Sequence, residues 1–168
     1  MKIEEPTLNG ESTDANHTNE IEILSFEQTV SRPPTGGGNE GQKTAAQMTP
    51  ILLFKQLDKS TPKLLEAANK GTIYNKVTLG LCQPSGTADV ATSQWKKIVY
   101  FQVTLEKVQI SSIRWIGDPS LHYTSIPGDA GPVEEIQLAF RKISWMYKGG
   151  TGTANISGSW NLNNNAPT

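Results

Sequence analysis

The 168-residue sequence has one cysteine, two histidines, no long apolar run and no excess of either charge. A single Cys82 excludes an intramolecular disulfide and a cysteine metal cluster, and its place in the strand-like run 77–82 reads as a small buried apolar residue. The longest uninterrupted aliphatic or aromatic runs are 51–54 and 98–101, far below the roughly 20 residues that a membrane helix needs. The first residues, Met1 to Pro6, carry no apolar signal core, so neither a signal peptide nor membrane insertion is expected. Net charge is −1, and the basic residues occur as isolated pairs such as Lys96-Lys97 and Arg141-Lys142. Without a basic stripe to neutralise a phosphate backbone, nucleic acid is not an expected partner.

Catalytic patterns are equally thin. Gly36 and Gly41 have the spacing of a phosphate loop, but Gln42 separates Gly41 from Lys43, and a strand-like segment follows where the loop needs a helix. Glu20 and Glu22 would share one face of a strand about 6.8 Å apart, a separation open to a glycosidase pair. With Ile21 and Ile23 between and beyond them, a solvated edge beside a buried one is the simpler reading. Glu134 and Glu135 are adjacent, so in a strand they face opposite ways. His17 and His122 lie in polar surroundings without metal spacing, and there is no Gly-x-Ser-x-Gly elbow. Two glycosylation sequons, at Asn16 and Asn155, read as chance matches. The residues therefore point to no enzyme, no metal and no cofactor.

What the chain does carry is strand pattern and one helix. The segment 58–71, Asp-Lys-Ser-Thr-Pro-Lys-Leu-Leu-Glu-Ala-Ala-Asn-Lys-Gly, starts with Thr61 as a cap for an orphan amide and Pro62 in the first turn. It stops at Gly71, which can adopt a left-handed conformation. Leu64, Leu65 and Ala68 give it one narrow apolar stripe. Period-two runs fill 20–30, 51–57, 72–81, 98–110, 133–147 and 156–162. Two of them change phase by one residue: Val103 and Leu105 give way to Val108 and Ile110, and Leu138 and Phe140 to Ile143 and Trp145. Such slips are the mark of β-bulges, which bend sheets toward closure. The expected fold is mainly β: a small bulged antiparallel β-barrel with one flanking α-helix, a single domain over 1–168. Segments 84–93 and 116–132 read as surface loops, and 163–168 as a fraying tail. Segment 32–47 has almost nothing to bury and is longer than most connections in compact domains. Trp145, Tyr147 and Trp160 read as core or subunit-interface residues. Trp95 and Trp115, at loop edges, leave open a carbohydrate-binding β module that uses exposed aromatics.

The ordered words along the chain carry a resemblance. Gly10-Glu11-Ser12 with His17, the segment 55–68 containing Asp58, Ser60, Thr61 and Pro62, Val108-Gln109-Ile110-Ser111-Ser112, the strand 135–147, and Ser159-Trp160-Asn161-Leu162 together resemble the haemolysin-coregulated protein (Hcp) family, the tube subunits of the bacterial type VI secretion system. The resemblance implies a small barrel that assembles as a homohexamer, rings that stack into a tube, and expulsion by a contracting sheath with a spike at the tip. It also implies effector proteins carried in the lumen, and a protein that resides in the bacterial cytoplasm before firing and is secreted without a signal peptide. It assigns the long loop a role in ring assembly and stacking, through Arg32, Gly36, Gly37, Gly38, Asn39, Glu40, Gly41, Gln42 and Lys43. The family commonly has a few more residues before its first strand and shorter loops at 83–94 and 115–132. No fused toxin domain is expected after Leu162.

Overall fold

The computed structural model describes residues 1–33, 45–88, 95–118, 131–149 and 154–168. Its strands are β1 (Lys2–Glu4), β2 (Ser25–Glu27), β3 (Val30–Ser31), β4 (Gln47–Met48), β5 (Ile51–Gln56), β6 (Ile73–Ala88), β7 (Trp95–Ile116), β8 (Val133–Ala139), β9 (Lys142–Tyr147) and β10 (Ile156–Asn161), with one helix, α1 (Thr61–Lys70). The chain is mainly β, and every strand pair is antiparallel. The principal sheet runs β1-β6-β7-β8-β5-β2, with β9 added to β7 and β10 to β9, while β3 and β4 form a separate ribbon.

The two phase slips face one another. β7 pairs along one edge with β6; along the other it pairs with β9 from Phe101 to Glu106 and with β8 from Gln109 to Ile116. The partner changes at Lys107, whose φ of 54° is a left-handed turn of the backbone, and opposite it the chain passes from β8 to β9 through Phe140 and Arg141. There the amide of Arg141 donates to the Glu106 carbonyl at 3.1 Å. Bending both strands at one level keeps Val103, Leu105, Val108 and Ile110 all in the core, together with Ile136, Leu138, Phe140 and Ile143. Register shifts proper lie elsewhere, at Leu81/Cys82 and Pro84/Ala88 in the β6–β7 ladder and at Ile110/Ser112 in the β7–β8 ladder.

Several expectations change. Strand β6 extends through Ala88 and β7 begins at Trp95, so residues 84–88 of the segment read as a loop at 84–93 are strand, and 89–93 lie outside the described residues. Cys82 is exposed, not buried, because it shares the parity of Thr78 and Gly80 and so lies on the face opposite to the buried Val77 and Leu79. The tail 163–168 turns back: Trp160 Nε1 donates to Asn165 Oδ1 at 3.1 Å and the Thr168 hydroxyl to Ser159 Oγ at 2.7 Å. Helix α1 stops at Gly71 in the left-handed conformation (φ 65°) and holds Pro62 in its first turn. It buries Thr61, Leu64 and Ala67, a stripe rotated from the one expected, and burying Leu64 contributes about 2 kcal/mol. Thr61 does not cap the helix: its hydroxyl turns back toward Asp58, whose amide donates to it at 3.1 Å.

Beyond β1 the first residues follow a tight course. The amide of Gly10 donates to the Asn19 carbonyl at 2.8 Å and that of Ser12 to the Glu20 carbonyl at 3.1 Å. A Cβ on Gly10 would stand 2.4 Å from the Glu20 carbonyl oxygen, so this crossing of two backbones requires glycine. Residues 21–24 then lead from the start of β1 to β5: the Ile21 amide donates to the Met1 carbonyl and the Leu24 amide to the Phe54 carbonyl, each at 2.8 Å.

Candidate functional site

The motif words from distant parts of the chain meet at the head of α1. Antiparallel pairing of β5 with β8 places Lys55 directly opposite Glu134, and both side chains are almost wholly removed from solvent (1% and 0% exposed). Lys55 Nζ lies 2.6 Å from Glu134 Oε1, 2.7 Å from the Gln56 carbonyl, 2.9 Å from Asp58 Oδ1 and 3.4 Å from Thr61 Oγ1. The Thr61 hydroxyl donates to Glu134 Oε1 at 2.9 Å. The other carboxylate oxygen, Oε2, is buried with no hydrogen-bond partner among the described residues, so the charge of Glu134 depends on what reaches Oε1.

Asp58 organises the turn before the helix. Its Oδ1 accepts from the Ser60 amide at 2.8 Å and the Ser60 hydroxyl at 2.5 Å. Burial alone would raise its carboxyl, but the bonds from Ser60 and Lys55 outweigh that and hold it below the ordinary aspartate value. From the other side, Glu11 Oε1 accepts from the Lys59 amide at 3.0 Å. Glu11, Asp58, Ser60, Thr61 and, at the rim, Pro62 therefore form one assembly at the helix head, while Gly10 and Ser12 bond to Asn19 and Glu20. Lys55 and Glu134 are its centre. A lysine ending the apolar run Ile51–Phe54, and a glutamate between Val133 and Ile136, were the available signal; their pairing was not. The chemistry of this cluster is cohesion, since every charged group in it is already engaged by the protein.

The remaining motif residues lie elsewhere. Ser111 is the extra residue at the β7–β8 register shift and donates to the Gln137 carbonyl at 3.2 Å, with Ser112 beside it. Trp160 packs partly buried against the core, as does Trp145. Tyr147 is half exposed and Trp115 58% exposed. Glu20 is partly buried and Glu22 exposed, and no group of three or more metal-ligating side chains occurs among the described residues. Arg32 is described and exposed, whereas Gly36 to Lys43 and His122 lie outside the described residues.

Two surfaces suit contact with another molecule. Among the described residues the strand partner of β10 is β9, the tail bridges β10 at Asn161–Ala166, and Ile156 is 69% exposed. Apolar side chains also emerge at Phe26, Val30 and Ile73. Comparison with known proteins identifies the frame on which these features sit: the family model described as "Type VI secretion system effector, Hcp" matches residues 1–147.

The chain belongs to the Hcp family. A curated Hcp relative, the "Major exported protein" of Pseudomonas aeruginosa, is 26% identical over 143 residues, covering 83% of this chain and 75% of that protein. Among solved structures, one described as a type six secretion system protein aligns with a TM-score of 0.77 at 24% identity, covering 99% of this chain and 98% of its own. Hcp1 from Salmonella typhimurium aligns at 0.73 with 20% identity, covering 99% and 95%. A type VI secretion system effector from Yersinia pestis aligns at 0.69 with 22% identity, covering 95% and 96%. Within this Hcp fold the Lys55–Glu134 cluster takes in Asp58 and Thr61 of the family word 58–62, and Glu11 of the word 10–12 reaches the same turn through the Lys59 amide.

Proposed function

We propose that this chain is the repeating subunit of a type VI secretion tube. Six copies close into a ring, rings stack, and the tube leaves the cytoplasm when the sheath contracts behind the spike, with effector proteins bound in the lumen. The family match over residues 1–147 carries this reading. Further support comes from residues 21–24, whose bonds run from Met1, just before the edge strand β1, to Phe54 in β5, beside the other edge strand β2, and favour a closed small barrel.

A ring of identical chains needs two different patches meeting head to tail. The outer edge of β10 with Ile156, and the apolar side chains near β2 and β3, supply two such patches. The loop bearing Arg32 and residues 36–43 is assigned to contact with a neighbouring subunit or ring. A subunit of this kind acts without metal, cofactor or catalysis.

Negative-stain electron microscopy with light scattering on the purified protein tests the proposal. Six copies of 18.3 kDa make a ring of about 110 kDa, and six-fold rings or stacks of them are expected. Deleting 36–41 should shorten stacks while leaving the subunit folded. A stable monomer at high concentration overturns the reading.

A further inference from the structure

A second constellation lies away from the helix head, where the turn 14–20 meets the bulge in β6. Cys82 Sγ is 3.4 Å from His17 Nε2, and His17 Nδ1 is 3.2 Å from Glu20 Oε1. A carboxylate at Nδ1 favours the tautomer with its proton there, which turns the Nε2 lone pair toward the thiol. The ring is well placed to stay there: the His17 amide donates to the Asp14 carbonyl and its carbonyl accepts from the Glu20 amide, each at 3.0 Å. Gly80 adds room, since a Cβ at that position would touch the His17 ring at 4.0 Å and crowd Val99 at 3.2 Å. The three groups border an open hollow of about 430 Å³. Nucleophile, base and a carboxylate orienting the base are the parts of an activated thiol.

We propose that Cys82 is a modification site, a thiol that His17 and Glu20 assist in exchange with a disulfide-bearing molecule. In the step, Cys82 Sγ attacks one sulfur of the incoming disulfide while its proton passes to His17 Nε2. The new S–S bond forms as the old one breaks, and the departing thiolate takes the proton back from His17. Cys82 is oxidised to a mixed disulfide and the other half of the reagent is reduced to a thiol, so the incoming disulfide is the oxidant.

The surroundings explain why the base is needed. Burial pushes the Cys82 thiol up, Asp14 and Glu20 push it the same way, and Lys97 opposes them. Protonated at neutral pH, the sulfur reacts through His17 or slowly. The hollow presents Asp14, Glu20 and Glu22 against Lys97 and the Met1 amino group, with the Tyr100 phenol beside them. This balance selects a neutral or cationic disulfide over an anionic one.

The test is the second-order rate at which the purified full chain forms an adduct with cystamine, followed by intact mass spectrometry from about pH 5 to pH 9, across the ordinary histidine and cysteine ranges. The wild-type rate should already be appreciable below the ordinary thiol range and exceed that with dithiodiglycolate. His17→Gln should lower the rate about tenfold or more at neutral pH, Glu20→Gln should lower it less, and Cys82→Ser should give no adduct. Equal rates for the wild type and a folded His17→Gln protein overturn the proposal. If that variant does not fold, the wild-type profile decides: a rate that climbs only in the ordinary thiol range overturns it equally. The readout does not require rings, so its failure is separate from failure of the tube reading.

Discussion

The chain builds ion pairs in two places with opposite consequences. On the outer face of α1, Glu66 lies 2.8 Å from Lys63 and 2.5 Å from Lys70, with all three side chains well exposed. Beneath the start of the same helix, Lys55 and Glu134 make a contact of similar length with almost no solvent. The bonds from Lys63 and Lys70 lower the Glu66 carboxyl to about 2, yet water solvates all three charges whether or not they pair, and the pairing counts for little. In the interior neither charge has an alternative partner in water. The pair is costly to create and far more costly to halve. Environment, more than distance, determines what an ion pair does.

This contrast can be broken from its inner side. Lys55→Ala should cost about 3–5 kcal/mol in urea unfolding because it strands the buried Glu134 charge, and Glu134→Ala should cost less because Lys55 keeps Asp58. The double replacement Lys55→Met with Glu134→Leu should recover most of that loss. If each single change costs less than about 1 kcal/mol, within the range of an exposed pair, the interior pair is no different from the outer one.

A smaller effect belongs to Asp58. Its carboxyl is held below the ordinary value in the folded chain. Its contribution is therefore complete above the unfolded value and disappears as pH falls through the folded one. The urea midpoint should drop with acid in the wild type, and Asp58→Asn should lower the neutral midpoint while flattening part of the acid decline. Parallel pH curves for the two proteins would remove Asp58 from the cluster's energetics. Smallest of all, Glu66→Gln should leave the thermal midpoint where it is at physiological salt, and a clear drop would mean the outer network also holds the helix.

Much of the fold was legible because periodicity records which face a residue occupies. The helix bounds at Pro62 and Gly71, the strand runs and the two phase slips could all be read along the chain. Periodicity does not record partners. Nothing local announces that Lys55 faces Glu134 across 79 residues, that the slips at Lys107 and Arg141 are one bend seen from two strands, or that Thr61 turns its hydroxyl inward instead of capping the helix. Cys82 was misplaced because its apolar character was read ahead of its parity: it alternates with Thr78 and Gly80, opposite to the buried Val77 and Leu79. The family words were visible without their meaning. Glu11 and Asp58 became parts of one object only when Lys59 and Ser60 were found bonded to them.

β7, meanwhile, has implications for the order in which the molecule assembles itself. It lies between β6 on one edge and β8 and β9 on the other, with α1 against it, and these strands follow one another in the chain. Their pairing needs modest loop closure and can proceed early, whereas β5 reaches β8 only by enclosing everything between them. The Lys55–Glu134 contact is thus expected to form late on the folding route. Strengthening or weakening it should act chiefly on how long the finished subunit survives, and little on how quickly it is made.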